Sequence, residues 1–400
     1  QEPVQSAVVA AGSGTTDAEG RFDLTFLPEA DERHAADGGV TYRFRLSVDL
    51  VDDGGETGST QRTFQLGFVS VQASIETDLR FFRVDQPARV AVRRTDLDGN
   101  PRAGVGEWTL ARLQSPARTL LPADQPLPRP TGAQQRFATP GDAQRPRWAP
   151  AYNPEEVLSQ WQVEGASAAQ AISHDDRGVA ELDLGALAVG AYRLTYRTRD
   201  DFGAICETWK DLVVVESGAQ PIGLPALLVV EKPIVSVGDT ARILVQSSLP
   251  DQQMVLEIYR QGRRKERHEL SSAAGAQVIE IPIAGAERGG LGVRLTAVRD
   301  HQLMTFSETI FVPWEDRQLQ LRFSSFRNLL RPGQRETWRL EVEDWRGEAL
   351  AKGAAELLAY MYDRSLDIFA PHQPPDVVSR YPTLTAMGPL QINVGGRGEV

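Results

Sequence analysis

The stretch Tyr42-Arg43-Phe44-Arg45-Leu46-Ser47-Val48 decides how the rest of the chain is read. Apolar and polar side chains alternate strictly, the pattern of an antiparallel strand with one face buried and one in water. Asp52-Asp53-Gly54-Gly55 then supplies turn chemistry, and the alternation resumes from Thr63 to Val71. The same grammar returns in Arg89-Val90-Ala91-Val92, followed by Asp96-Leu97-Asp98-Gly99-Asn100-Pro101. It returns again in Tyr192-Arg193-Leu194-Thr195-Tyr196, followed by Asp200-Asp201-Phe202-Gly203. Strands at this spacing, separated by Asp/Gly/Asn turns, predict an all-β chain of antiparallel β-sandwiches. Amphipathic helical patterns are scarce.

With 400 residues the chain is too long for one ordinary core. A repeated phrase suggests how it divides. Ile234-Val235-Ser236-Val237-Gly238-Asp239-Thr240-Ala241-Arg242-Ile243 is matched by Leu329-Leu330-Arg331-Pro332-Gly333-Gln334-Arg335-Glu336-Thr337-Trp338. Each sets a glycine turn between an apolar edge and an alternating strand, and glycine suits a turn that needs positive φ. The expected units are 1–77, 78–216, 217–313 and 314–400. The first is expected to be incomplete at its N-terminus and the last at its C-terminus.

Prolines at 116, 122, 126, 128, 130, 140, 146, 150 and 154 break the rhythm. Proline cannot donate to a sheet ladder, so this stretch reads as an extended insertion, placed at 115–165, in the second unit. Trp148, Tyr152 and Trp161 are expected to dock it on the surface, as a decorated loop or as a recognition segment.

Composition excludes several functions. Apolar content of 41% and charged content of 24% are those of a folded globular chain. A formal net charge of -11 argues against nucleic acid as a partner. No apolar run approaches the roughly 18 residues of a spanning helix, so no membrane insertion is expected of this segment. Cys206 is the single cysteine, which rules out an intrachain disulfide or a cysteine metal cluster. It stands in an apparent strand beside Glu207 and is expected to be a small buried hydrophobe. Histidines at 34, 174, 268, 301 and 372 are too scattered for a metal site. The basic run Arg263 to His268 reads as an exposed hairpin end, and the paired acids at 52–53 and 200–201 as solvated turns. No catalytic residue, metal ligand or cofactor site is expected.

Ala355 to His372, AELLAYMYDRSLDIFAPH, is the most distinctive text. Asp363, Ser365 and Asp367 set oxygens at alternate positions, as a calcium loop does, but no glycine turn or bidentate acid follows. The preferred reading is structural: Asp363 and Ser365 cap backbone amides where a buried strand ends, and Leu366, Ile368 and Phe369 return to the core.

This stretch resembles the hallmark of bacterial alpha-2-macroglobulins, whose macroglobulin domains close a strand in Tyr-Asp-X-Ser-Leu-Asp. Here those residues are Tyr362, Asp363, Ser365, Leu366 and Asp367. Val312-Pro313-Trp314, Phe326 to Gly333 and Trp338-Arg339-Leu340-Glu341-Val342 resemble the lead-in. Thr16 to Phe22 and Val51 to Thr57 resemble turns of earlier domains. The resemblance implies a row of macroglobulin (fibronectin-III-like) sandwiches without enzymatic activity. It implies a broad-spectrum endopeptidase inhibitor in which cleavage of a bait segment traps the attacking protease, its partner.

The Cys-X-Glu-Gln thioester motif is missing, since Trp209 stands three places after Cys206; such a domain is expected beyond Val400 or not at all. The remaining domains of the same polypeptide are then further partners. The resemblance also implies export to the periplasm or cell surface, with signal or lipoprotein anchor outside this fragment. The tail from Pro371, with Arg380 and Arg397 as protease-accessible positions, is expected to approach the bait. A competing reading is a cell-surface adhesion or carbohydrate-binding array of immunoglobulin-like sandwiches.

Overall fold

The computed structural model describes residues 8–28, 39–52, 54–125, 139–143, 148, 150, 152–327, 329–331, 333–351, 353, 371 and 381–390. The chain is nearly all-β. Its one α-helix among these residues, α1 (Pro154–Ser159), opens with Asn153 accepting from Glu155 N–H and Pro154 in the first turn.

The opening strand is the first half of a hairpin. β1 (Thr41–Val51) pairs antiparallel with β2 (Thr57–Gly67), and Phe44 stacks on Phe64 at 5.6 Å. The second sandwich faces a three-stranded sheet against a larger one. β3 (Val71–Glu76), β5 (Arg89–Asp96) and β9 (Val179–Asp183) make the first sheet. β4 (Phe82–Arg83), β11 (Ile205–Val215), β10 (Gly190–Arg199), β6 (Gly104–Leu113) and β7 (Val163–Ala166) follow in order in the second, with β8 (Gln170–His174) also on β6. Val90, Val92 and Leu182 from one sheet meet Leu194, Tyr196 and Leu212 from the other in a buried core. Val71–Glu76, which lies before the expected break at 77/78, aligns residue for residue with Asp96–Ala91 of β5. One short pairing is parallel, Val214–Val215 with Phe82–Arg83.

The third sandwich is built alike. β12 (Leu227–Val230), β13 (Thr240–Gln246) and β16 (Gln277–Pro282) form one sheet. The other runs β15 (Arg263–Ser271), β14 (Gln253–Arg260), β17 (Leu291–Arg299), β18 (Gln302–Ile310). Leu256, Ile258, Val293 and Leu295 alternate inward and are fully buried. Beyond it, β19 (Gln320–Ser325) pairs with β20 (Arg339–Glu343).

One turn recurs throughout. In Asp-X-X-Gly-X the aspartate Oδ1 accepts the amides two and four residues on: at Asp17 (3.1 and 2.7 Å), Asp52 (2.9 and 2.8 Å), Asp96 (3.0 and 2.9 Å) and Asp175 (3.0 and 2.9 Å). Asp200 (3.0 and 2.8 Å) and Asp344 (2.9 and 2.9 Å) do the same. The glycine of each, such as Gly99 at φ 87° and Gly203 at φ 86°, is left-handed. A turn closed by a left-handed glycine matches the right-handed twist of the flanking strands, and the aspartate satisfies amides that the ladder leaves over. Asp52 and Asp200, the first acid of each pair, are thus turn ties, and Asp200, expected to be solvated, is buried. Gly238 and Gly333 of the repeated phrase also have positive φ, 99° and 78°.

The second and third sandwiches share a core. Phe81, Leu113, Val213 and Val215 of one bury with Leu224, Leu227, Leu244 and Ala276 of the other, sealed by Leu158 and Trp161 of the insertion. The insertion reaches further. Leu121 joins the core of the third sandwich, Ala123 N–H donates to Gln302 Oε1 at 2.8 Å, and Tyr152 O–H donates to Ala226 O at 3.2 Å. It is a cement between two domains.

Candidate functional site

Tyr362, Asp363, Ser365, Leu366, Asp367, Arg380 and Arg397 all lie outside the described residues. What is described of the tail is Pro371 and Tyr381 to Leu390. The latter segment lies across one end of the third sandwich, bonded to it through its backbone.

Local sequence explains the seat. β14 and β15 are joined by Gln261-Gly262, both at positive φ (50° and 77°), the geometry of a two-residue hairpin turn. Their amides point out of the turn: Gln261 N–H donates to Leu384 O at 2.8 Å and Gly262 N–H to Ala386 O at 2.7 Å. On the other side Leu384 N–H donates to Gly289 O at 2.7 Å. The floor is Gly290 and Gly292. A Cβ on Gly292 would stand 2.4 Å from Thr385 O and 2.5 Å from Met387 Cγ. Glycine inside a strand weakens it, and commonly marks the close approach of another backbone. At the far end Arg294 Nη2 donates to Gly388 O at 2.7 Å. At the near end Trp314 Nε1 donates to Pro382 O at 3.2 Å and its ring meets Tyr381 edge-on at 5.6 Å.

Charges brace this floor. Glu257 accepts from Tyr259 O–H at 2.7 Å and Arg264 at 2.8 Å, and the Arg294 guanidinium lies 5.2 Å from the centre of the Tyr259 ring. Burial raises the Glu257 carboxyl, but its bonds to Arg264 and Tyr259 outweigh this and hold it below the usual range. Burial and the Glu257 carboxylate push the Tyr259 hydroxyl up, so it stays a donor at neutral pH. The basic run after Gly262 therefore forms β15 and pairs inward in part, with Lys265 2.5 Å from Glu287.

Other candidates are structural. Cys206 is half-buried on β11, and burial raises its thiol pKa, which disfavours a nucleophilic thiolate. His174 is buried against Tyr196 at 5.4 Å, with Nδ1 3.2 Å from Gly104 O. Burial foremost, with Arg94 nearby, lowers its pKa and keeps it neutral. A crevice of ≈ 820 Å³ between the second and third sandwiches is lined by Arg112, Arg118 and Arg299 but also by Asp124 and Asp300. Among the described residues no group of three His, Cys, Asp or Glu is placed to hold a metal ion, and no helix is long and apolar enough to cross a membrane.

No family model matches the chain, and no curated protein sequence matches it. Among solved structures it is similar to native Escherichia coli alpha-2-macroglobulin (13% identity, 77% of this chain and 19% of that one, TM-score 0.25). It is also similar to Salmonella alpha-2-macroglobulin reacted with methylamine (13% identity, 87% and 22%, TM-score 0.27). Red sea bream transglutaminase overlaps as well (11% identity, 61% and 31%, TM-score 0.20). The chain spans about a fifth of the length of the two macroglobulins. Overlap this slight assigns no function.

Proposed function

We propose that this chain is a scaffold portion of an alpha-2-macroglobulin-like endopeptidase inhibitor that acts by mechanics rather than catalysis. The observation that carries the reading is the phrase Tyr362-Asp363-Arg364-Ser365-Leu366-Asp367 within a chain of tandem β-sandwiches. Sandwiches that share a core move as one body, which suits a scaffold meant to transmit a displacement. In this reading Asp363 and Ser365 cap a strand end, the partners are attacking endoproteases and further domains of the same polypeptide, and the protein works outside the cytoplasm. The competing adhesion array calls for a row of exposed aromatics on one sheet face. Among the described residues Phe202, Trp209 and Trp148 stand exposed on a turn, a strand and the insertion, while Phe323 and Phe326 cluster with Trp338 at the β19–β20 hairpin.

The test uses the complete gene product. Incubated with trypsin or elastase, it should abolish digestion of a large protein substrate while sparing hydrolysis of a small chromogenic peptide, because a trapped protease is shielded and not blocked. Equal loss of both activities, or loss of neither, would overturn the proposal. The 400-residue chain alone should inhibit neither.

A further inference from the structure

The seat of residues 382–388 is held in shape by bonds that owe nothing to its occupant. Gly289 N–H donates to Val312 O and Gly290 N–H to Glu287 O, both at 2.9 Å. Arg260 Nη2 donates to Arg288 O at 3.0 Å, and Arg288 is clamped by Asp316. The floor is buried, with Tyr259 and Arg294 at 7% and 8% exposure, whereas the occupant is half-buried or exposed along its whole length. The segment is a cover on a formed surface rather than part of a core.

The chemistry of that surface is that of a peptide site. It offers two backbone donors, one backbone acceptor, a glycine floor that lets a backbone approach, and an arginine for a carbonyl further on. Main-chain bonds of this kind hold extended peptides with little demand on side chains, and the pockets set the pattern. The pattern is read from the occupant: Leu384 against Gly289, Thr385 over Gly290, and no room for bulk at Gly388, whose Cβ would stand 3.1 Å from Gly262 O.

We propose that this end of the third sandwich is a docking groove for an extended peptide, and that residues 382–388 of the chain are its resident, exchangeable ligand. The proposal does not depend on the protease reading. A tethered ligand competes at an effective concentration set by its linker, so the groove is closed to free peptides until the segment leaves it.

The experiment uses the full chain and a fluorescein-labelled peptide of sequence 381–390, YPTLTAMGPL, followed by fluorescence anisotropy. Leu384→Pro with Met387→Asp removes the amide that bonds Gly289 O and the side chain beside Gly292, and empties the groove. The emptied chain should bind the peptide at least tenfold more tightly than the native chain. Adding Gly292→Val to it should abolish the gain, since the new side chain enters the path of the peptide at Thr385 O and Met387 Cγ. Arg294→Ala, which loses the bond to the Gly388 carbonyl without filling the floor, should weaken binding by about tenfold and serves if the valine disturbs the strand. An emptied chain that binds no better than the native one would overturn the proposal. So would binding that neither Gly292→Val nor Arg294→Ala reduces.

Discussion

Asp200 reaches back over 130 residues to Ser70: its Oδ2 accepts from the Ser70 amide at 2.9 Å and from the Ser70 hydroxyl at 3.0 Å. The other carboxylate oxygen closes its own turn through Phe202 and Ala204. One buried side chain therefore ties a hairpin and also anchors the segment that enters the second sandwich from β2.

Asp200→Ala should cost more than the same change at an exposed copy of the turn. Bonds to a charged acceptor contribute about 1.5–3 kcal/mol each at most, and removal leaves the Ser70 amide without its acceptor. About 2–3 kcal/mol is expected for Asp200→Ala and about 0.5–1 kcal/mol for Asp52→Ala. Urea denaturation of the two variants checks the order, and equal losses would show that the Ser70 tie is idle. Acid gives a second measure. Burial raises the Asp200 carboxyl, but bonds from Ser70, Ala204 and Phe202 prevail and hold it below the usual range. Such a group contributes its stability above the unfolded pKa of about 4 and loses it as pH falls through the folded value. Asp200→Asn should accordingly flatten the loss of stability below about pH 4.

Two turn glycines should separate by their surroundings. Gly178 and Gly203 are both left-handed, at φ 69° and 86°. A Cβ on Gly203 meets nothing within 4 Å, but one on Gly178 would stand 2.2 Å from Arg94 O. Gly203→Ala should cost about 1–2 kcal/mol of backbone strain alone. Gly178→Ala should cost clearly more, because Arg94 N–H and Arg94 O both bond at this turn, to Gly178 O and Arg102 N–H. Thermal melts of both variants decide it; a milder Gly178→Ala would contradict the packing.

The alternation at 42–48, 89–92 and 192–196 was enough to read the fold class, because a strand with one wet face writes its geometry at period two. The Asp-Gly turns were legible for the same local reason. Three features were not. Val71–Glu76 belongs to the second sandwich through pairing with β5, a long-range register that no local pattern carries. The proline-rich insertion looked like decoration, since the burial of Leu121 and Trp161 depends on a neighbouring domain. The seat of 382–388 has no period to betray it; its one trace is Gly289-Gly290-Leu291-Gly292, glycines where a strand should have side chains.

Leu121→Ala tests the role of the insertion. This side chain comes from the second unit's insertion but is buried with Met254, Leu256 and Met304 in the third sandwich. A cavity there should cost about 2–4 kcal/mol and lower the melting of the third sandwich. Hydrogen exchange should show the loss in β12 to β18. A change confined to residues near 121 would mean that the insertion only rests on the surface.

Trypsin provides the last test, because the segment just after Arg380 is the seated one. A protease takes its substrate as an extended strand over several residues on both sides of the bond, so those residues must be free together. At Arg380-Tyr381 the downstream side is engaged: Tyr381 packs on Trp314, the Pro382 carbonyl accepts from Trp314 Nε1, and Leu384 bonds on both edges. Cleavage there should be slow in the native chain, with the rate set by release of the segment. In the Leu384→Pro, Met387→Asp chain the same bond should be cut at least tenfold faster, while the bonds of β14 and β17 remain intact. Arg145-Pro146 should resist in both, since trypsin fails before proline whether or not the segment is seated. Mass spectrometry of early digests follows both sites and the bonds of β14 and β17. If Arg380-Tyr381 is cut equally fast in the two chains, the segment does not occupy its groove in solution, and neither the seat nor the site built on it stands.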